Sequence, residues 1–186
     1  MSVVMEPEAR FRVLFESTYP TLRRYARNRG LSGQDAEDLL AATYEVAWRR
    51  FDRVPAGQES ILWLLTVALN HLRNRQRKLS RERKLVERLA APDLAPPGPE
   101  AGVVDWRELR RALDSLSRLD RELVLLVAWD ELTPAAAAAV LGLTPGAART
   151  RLHRTRARLA TLLNEAEQTH DAQVVPGTTS TRRQGQ

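Results

Sequence analysis

The segment from Thr133 to Leu162, "TPAAAAAVLGLTPGAARTRLHRTRARLATL", leaves this chain few ways to fold. Two Thr-Pro pairs, Thr133-Pro134 and Thr144-Pro145, punctuate it. A threonine hydroxyl accepts from the N–H groups that a helix start leaves unpaired, and proline at the first helical position gives up an N–H that has no partner there. Gly142 falls just before the second pair, where a sharp helix-to-helix turn wants a residue free to take positive φ. The stretch therefore predicts two short helices joined by a tight glycine-containing turn, the helix-turn-helix pattern. Its alanines let the first helix lie close against a partner.

The second helix has two unlike faces. At 100° per residue, Ala148, Leu152, Thr155, Leu159 and Leu162 fall on one side. Arg149, Thr150, His153 and Arg154 point the other way, with Arg151 and Arg158 flanking them. Between Arg149 and Arg158 there are five arginines, one histidine and no acid. With the apolar stripe turned inward, the remaining side chains are donors able to reach phosphates and guanine edges. The N-terminal half of such a helix is the part that enters a major groove.

The rest of the chain is helical in pattern as well. No segment alternates with period two, and no hairpin turn signal occurs. A helix is expected within Glu8–Arg29, interrupted near Pro20. Ser32 is positioned as the N-cap of the next helix, whose apolar stripe is Leu40, Tyr44, Ala47, Trp48 and Phe51. That stripe makes Trp48 a core residue. A third helix starts near Ser60, buries Ile61, Leu65, Leu69 and Leu72, and then turns basic. From His71 to Arg88 it holds eight Arg or Lys against two Glu. Helices over Asp105–Ser115 and Asp120–Trp129 supply Leu109, Leu113, Leu116, Leu123 and Val127 to a small second core.

Residues 91–105 carry three acids, no base, four prolines and two glycines, and so separate two helical units. The expected organisation is all-α: a bundle over 1–90, a flexible acidic linker over 91–104, a helix-turn-helix domain over 105–166, and a disordered polar tail over 167–186. With the linker flexible, the two domains have no preset placement.

Composition narrows the function classes. The chain of 186 residues has a formal net charge of +6, and its only lysines are Lys78 and Lys84. Arginine suits bidentate contact to phosphate or guanine. There is no cysteine, and the three histidines show no ligand spacing, so no metal or cofactor is expected. No nucleophile–base arrangement or phosphate loop points to an enzyme. No apolar run or signal pattern predicts membrane insertion or export, and the expected location is the cytoplasm.

Taken together, both halves resemble the extracytoplasmic-function group of bacterial sigma factors. "DAEDLLAATYEVAWRRFDRV" (Asp35–Val54) is similar to the group's region 2.2, "WLLTVALNHLRNRQR" (Trp63–Arg77) to regions 2.3–2.4, and Leu116–Leu159 to region 4. The resemblance implies an initiation subunit of RNA polymerase. Region 2 would dock on the clamp helices of the β′ subunit through Asp35, Asp38 and Leu39. It would recognise and help open the minus-10 element, with Asn70, Arg73, Asn74 and Arg77 lining a basic groove for single-stranded DNA. Region 4 would bind the β flap and set Arg149, Thr150, His153 and Arg154 at the minus-35 element. An anti-sigma factor is a further partner that the group implies, though no residue identifies one.

Two departures stand out. The group commonly has a Gln-Glu pair where this chain has Ala41 and Ala42, and it has Glu and Ile within Ala135–Ala139, which thins the packing of that helix. Two other readings compete. A helix-turn-helix regulator acting without polymerase explains only the C-terminal half, and a non-specific RNA-binding protein would use its arginines through phosphate attraction alone.

Overall fold

The computed structural model describes residues 6–83 and 106–174. The expected linker, 91–104, lies outside these residues, as does the part of the expected tail beyond Val174. The described residues form seven α-helices and one short 3-10 turn, with no strand. The helices are α1 (Pro7–Asn28), α2 (Gln34–Arg49), α3 (Glu59–Arg83), α4 (Trp106–Asp114), α5 (Arg118–Ala128), α6 (Pro134–Leu141) and α7 (Pro145–Val174). Residues 167–174, expected in the tail, belong to α7.

The first three helices pack on one another. α1 runs unbroken through Pro20, against the expected interruption. Pro20 lies on the exposed side of the helix, as does Glu16, whose carbonyl loses its helical partner there. Beyond it, the burial of Leu22, Tyr25 and Ala26 holds the helix line. The cap of α2 is also corrected. Gly33, not Ser32, is the N-cap, with φ 52° and ψ −131° and no side-chain cap bond. Only glycine takes that conformation without strain, so the chain turns one residue later than the sequence pattern placed it.

Six aromatic rings form a continuous seam between α1 and α2: Tyr19, Phe15, Tyr44, Phe11, Trp48 and Phe51. Tyr44 is buried there, its hydroxyl 2.9 Å from that of Thr18. Burial pushes its pKa up to about 12. Trp48, expected in the core, is 46 % exposed. It sits near the start of α1, with the edge-on Phe11 ring at 5.0 Å and the stacked Phe51 ring at 6.4 Å beside it.

In the second half the turn chemistry is as the sequence lays it out. Thr133 Oγ1 accepts from the Ala136 N–H and Thr144 Oγ1 from the Ala147 N–H, each at 3.2 Å. Gly142 adopts the left-handed conformation, φ 68° and ψ 32°, and closes α6. Ser117 caps α5 by accepting from the Asp120 N–H at 3.1 Å.

The two halves are not independently placed. Leu123 and Leu126 of α5, and Ala137, Ala138, Val140 and Leu141 of α6, belong to the same buried cluster as Leu22, Tyr25, Leu65 and Leu69. α6 packs directly on α3. The alanine tract permits this, because methyl side chains let the two helix backbones approach closely. Ala137 and Ala138 are fully buried, so the tract serves packing rather than thinning it. A small satellite cluster of Leu113, Leu116 and Leu125 lies beneath Trp106 and Trp129.

Two stability predictions follow from this packing. Ala137→Leu overfills the buried side of α6 and lowers stability by about 1–3 kcal/mol. Ala139→Leu, on the exposed side of the same helix, stays within about 0.5 kcal/mol of the parent. Equal losses from the two variants in denaturant unfolding would refute the packing account. Gly142→Ala forces a Cβ into the left-handed region and costs about 1 kcal/mol, with no clash involved, since nothing lies within 4 Å of the added atom.

Candidate nucleic-acid interface

α7 is anchored by its inner stripe. Ala148, Leu152 and Thr155 are buried, and Leu159 and Leu162 half-buried. Arg149, Thr150, His153 and Arg154 are all exposed on the opposite side. The arginines that flank this face are tied down. Arg151 Nη1 donates to Asp120 Oδ1 at 3.1 Å, and Arg158 Nη2 donates to the Ser115 carbonyl at 3.2 Å. These bonds pin the two edges of α7 to α5 and to the turn before it. Among the described residues no acid pairs with Arg149 or Arg154, which leaves both guanidinium groups available to an anion. Thr150 spends its hydroxyl proton on the Gly146 carbonyl at 3.1 Å, so toward a ligand it acts as an acceptor. A shallow concavity at the start of α7 is lined by Asp120, Gly146, Thr150, Arg151 and Arg154.

A second basic surface lies on α3. Asn70, Asn74 and Arg77 are exposed and Arg73 is half-buried, and their spacing puts all four along one side of the helix. Trp63 is half-buried against the main core. The loop before α3 turns at Gly57, φ 64°, whose carbonyl accepts from the Ser60 hydroxyl at 2.7 Å.

Beside this surface, α2 and α3 enclose a groove lined by Asp35, Asp38, Leu39, Ala42, His71, Leu72 and Arg75. Asp35 Oδ1 accepts from Arg75 Nη2 at 2.7 Å. That hydrogen bond holds the Asp35 carboxyl below the usual carboxylate range. Asp38 accepts from the Gln34 side chain at 2.6 Å and is exposed. Leu39, grouped with these acids from sequence, is core: it is 7 % exposed and forms the groove's floor.

Sequence reasoning passed over Arg75, which joins the acidic rim to the basic side of α3. It also passed over the polar contact between the two halves. At the end of α1, Arg29 is buried, its guanidinium 3.7 Å from the Tyr25 ring centroid. It donates to Glu122 Oε1 from Nη2 at 2.5 Å and from Nε at 3.0 Å, and to Asp130 Oδ2. Asn28 donates to Asp130 Oδ1 at 2.8 Å and to the Trp129 carbonyl at 3.2 Å. Arg24 pairs with Glu131 at 3.3 Å. Burial pushes the Asp130 carboxyl above the usual carboxylate range, against the pull of Arg29. No periodicity or motif marks these residues. Glu131 itself takes φ 59° in the loop after α5, a conformation the sequence does not announce. No helix among the described residues is long and apolar enough to cross a membrane.

Comparison with known proteins agrees with this arrangement. Residues 14–82 match the family described as Sigma-70 region 2, and residues 106–159 match Sigma-70, region 4. The RNA polymerase sigma factor CnrH of Cupriavidus metallidurans is 34 % identical over 155 residues, which cover 77 % of this chain and 81 % of that protein. The RNA polymerase sigma factor CarQ of Myxococcus xanthus is 33 % identical over 164 residues, 84 % of this chain and 91 % of its own length. Among solved structures, the sigma factor RpoE in complex with the anti-sigma factor NepR from Bartonella quintana aligns with a TM-score of 0.67 at 28 % identity, covering 83 % of this chain and 97 % of that one. CnrH in complex with the cytosolic domain of CnrY aligns at 0.56 and 26 % identity, covering 83 % and 88 %. A basic helix-turn-helix following a three-helix bundle, in one chain and with both regions matched, places this protein in the sigma-70 superfamily, among the extracytoplasmic-function sigma factors of RNA polymerase.

Proposed function

We propose that this sigma factor reads the minus-35 element with Arg149, Thr150, His153 and Arg154 and the minus-10 element with Asn70, Arg73, Asn74 and Arg77. The observation that carries the reading is the division of α7. Its inner stripe is buried while its outer N-terminal half presents two unpaired guanidinium groups and an imidazole. Arg151 and Arg158, held by Asp120 and Ser115, fix the angle at which that face meets DNA. The asparagines and arginines of α3 supply donors for a single strand and its phosphates. Asp35 and Asp38, on the rim of the α2–α3 groove, are the acids offered to basic residues of the polymerase core. Ala41, exposed beside them, adds no polar contact.

The protein has no reaction of its own in this reading and acts through polymerase, in the cytoplasm where polymerase and chromosome meet. A regulator that binds DNA without polymerase leaves the region 2 match over 14–82 unexplained. The related RpoE chain is in complex with the anti-sigma factor NepR, which supports such a partner here. Reconstituted transcription with core polymerase on a genomic fragment library tests the reading as a whole. Selective initiation is expected only when this protein is present.

Asp38 is exposed and accepts from the Gln34 side chain, so reversing its charge costs little stability. Asp38→Arg is expected to keep a near-normal melting temperature and to lose association with core polymerase. An unchanged association constant overturns the docking role.

Arg154 and Arg158 are expected to fail differently. Bidentate contact to guanine carries ~1–3 kcal/mol of base discrimination, whereas a phosphate contact adds salt-dependent affinity. Arg154→Ala relaxes preference at one or two minus-35 bases. Arg158 gives one N–H to the Ser115 carbonyl and keeps its others for a phosphate, so Arg158→Ala weakens binding evenly across sequences and shallows its salt dependence. Selection from a randomised minus-35 element measures both, and a logo identical to the parent from both variants removes α7 as the reading helix.

A further inference from the structure

The two acids at the start of α2 are not equally free. Asp35 and Asp38 stand about one turn apart on the rim of the α2–α3 groove, which Leu39, Ala42 and Leu72 line between them and α3. His71 and Arg75, also one turn apart, face them from α3. Arg75 reaches across and donates from Nη2 to Asp35 Oδ1 at 2.7 Å, the length of a charge-assisted bond. Its charge also acts on Asp38, which accepts from the Gln34 side chain and pairs with no cation among the described residues. The Arg75 and Asp35 side chains are 43 % and 52 % exposed. The pair therefore carries little of the fold, because Leu39, Leu40, Leu69 and Leu72 already join α2 to α3 in the buried cluster. A cation arriving from solvent meets the same carboxylate without unburying anything.

We propose that Arg75 is an internal competitor for the docking acids: it holds on Asp35 the place that a basic side chain of polymerase core takes, and so sets how tightly this protein binds core. The proposal rests on the docking role given above to Asp35 and Asp38. Two physical effects carry it. Asp35 has an ion-pair partner before polymerase arrives, so an incoming guanidinium or ammonium group gains only the difference between two similar bonds. Once displaced, Arg75 still faces that group from across the groove, and like charges side by side at an interface oppose association. An exposed ion pair shifts an equilibrium by roughly two- to fivefold, so Arg75 tunes core association and does not block it. The two acids then divide the work. Asp38 offers a free carboxylate for first contact, and Asp35 is gained only as Arg75 lets go. Arg75 is outside the set of α3 residues assigned to the minus-10 strand, so its substitution leaves that set intact.

Full-length variants test this with two independent readouts. Arg75→Gln removes the charge and keeps a polar side chain. It is expected to keep a parent-like melting temperature and to bind core polymerase roughly two- to fivefold more tightly. Its affinity is also expected to fall more steeply with added salt, because the rim then carries one more uncompensated negative charge. Arg75→Lys keeps the charge without the planar fork and is expected to lie between the parent and Arg75→Gln. In the free protein, the hydrogen bond from Arg75 holds the Asp35 carboxyl below the usual carboxylate range, so in Arg75→Gln that carboxyl is expected to titrate at higher pH. Carboxyl nuclear magnetic resonance reads this without polymerase. An Asp35 titration that does not move overturns the proposal, because the pair is then absent in solution. Unchanged or weaker core association of Arg75→Gln, while Asp38→Arg loses core, overturns the competitor and keeps the docking site. Parent-like association of Asp38→Arg overturns the docking reading itself, and the competitor role falls with it.

Discussion

The closed arrangement of this protein turns on one buried cation. Arg29 ends the first helix of region 2, and its guanidinium is taken up by Glu122 and Asp130 of region 4 while it lies over the Tyr25 ring. A guanidinium removed from water must find near-complete compensation, and five donors in a planar fork need acceptors in fixed directions. The site supplies them from three places: a carboxylate on α5, a carboxylate in the following loop, and the Tyr25 carbonyl of its own helix. Such a demanding geometry favours one placement of the halves over neighbouring ones.

Around that cation the apolar surfaces fall into register. α6 packs on α3 and brings Ala137, Ala138, Val140 and Leu141 into the cluster that holds Leu65 and Leu69 of α3. The polar contact of Arg29 stands beside this apolar one and adds direction to it. The departure from the family pattern at Ala135–Ala139 thus has a structural correlate in this chain, as the surface on which the first half rests.

The same economy appears at α7, the helix proposed to read DNA. α7 uses one side for the core and two arginines at its edges to brace against α5 and the preceding turn. What remains is a narrow strip of unpaired donors. The bracing matters because a guanidinium reads a base only when its own helix is held at a fixed angle. In region 2 the division is less clean. Arg75 is drawn to Asp35, so the acidic rim of the α2–α3 groove and the basic side of α3 share an ion pair. Whatever binds one edge of that groove acts on the other.

Much of this was legible in the sequence, wherever the signal was local. Thr133, Thr144 and Gly142 specify the helix-turn-helix because caps and left-handed turns are set within four residues. The spacing of Ala148, Leu152 and Thr155 fixes which side of α7 is free. Periodicity in α3 likewise found Leu65, Leu69 and Leu72, though not Leu64 and Ala68, which are buried only because α3 has neighbours on two sides. Local signals misled where backbone and packing overrode them. Gly33 took the cap from Ser32, α1 continued through Pro20, and Trp48 is left exposed at the edge of the aromatic seam. Tertiary structure alone decided that Arg29 is buried, that its partners stand some hundred residues away, and that the halves close on one another. An arginine in a helix's last turn reads as a solvated charge until the acceptors that surround it are known, and those are brought there only by the path of the whole chain.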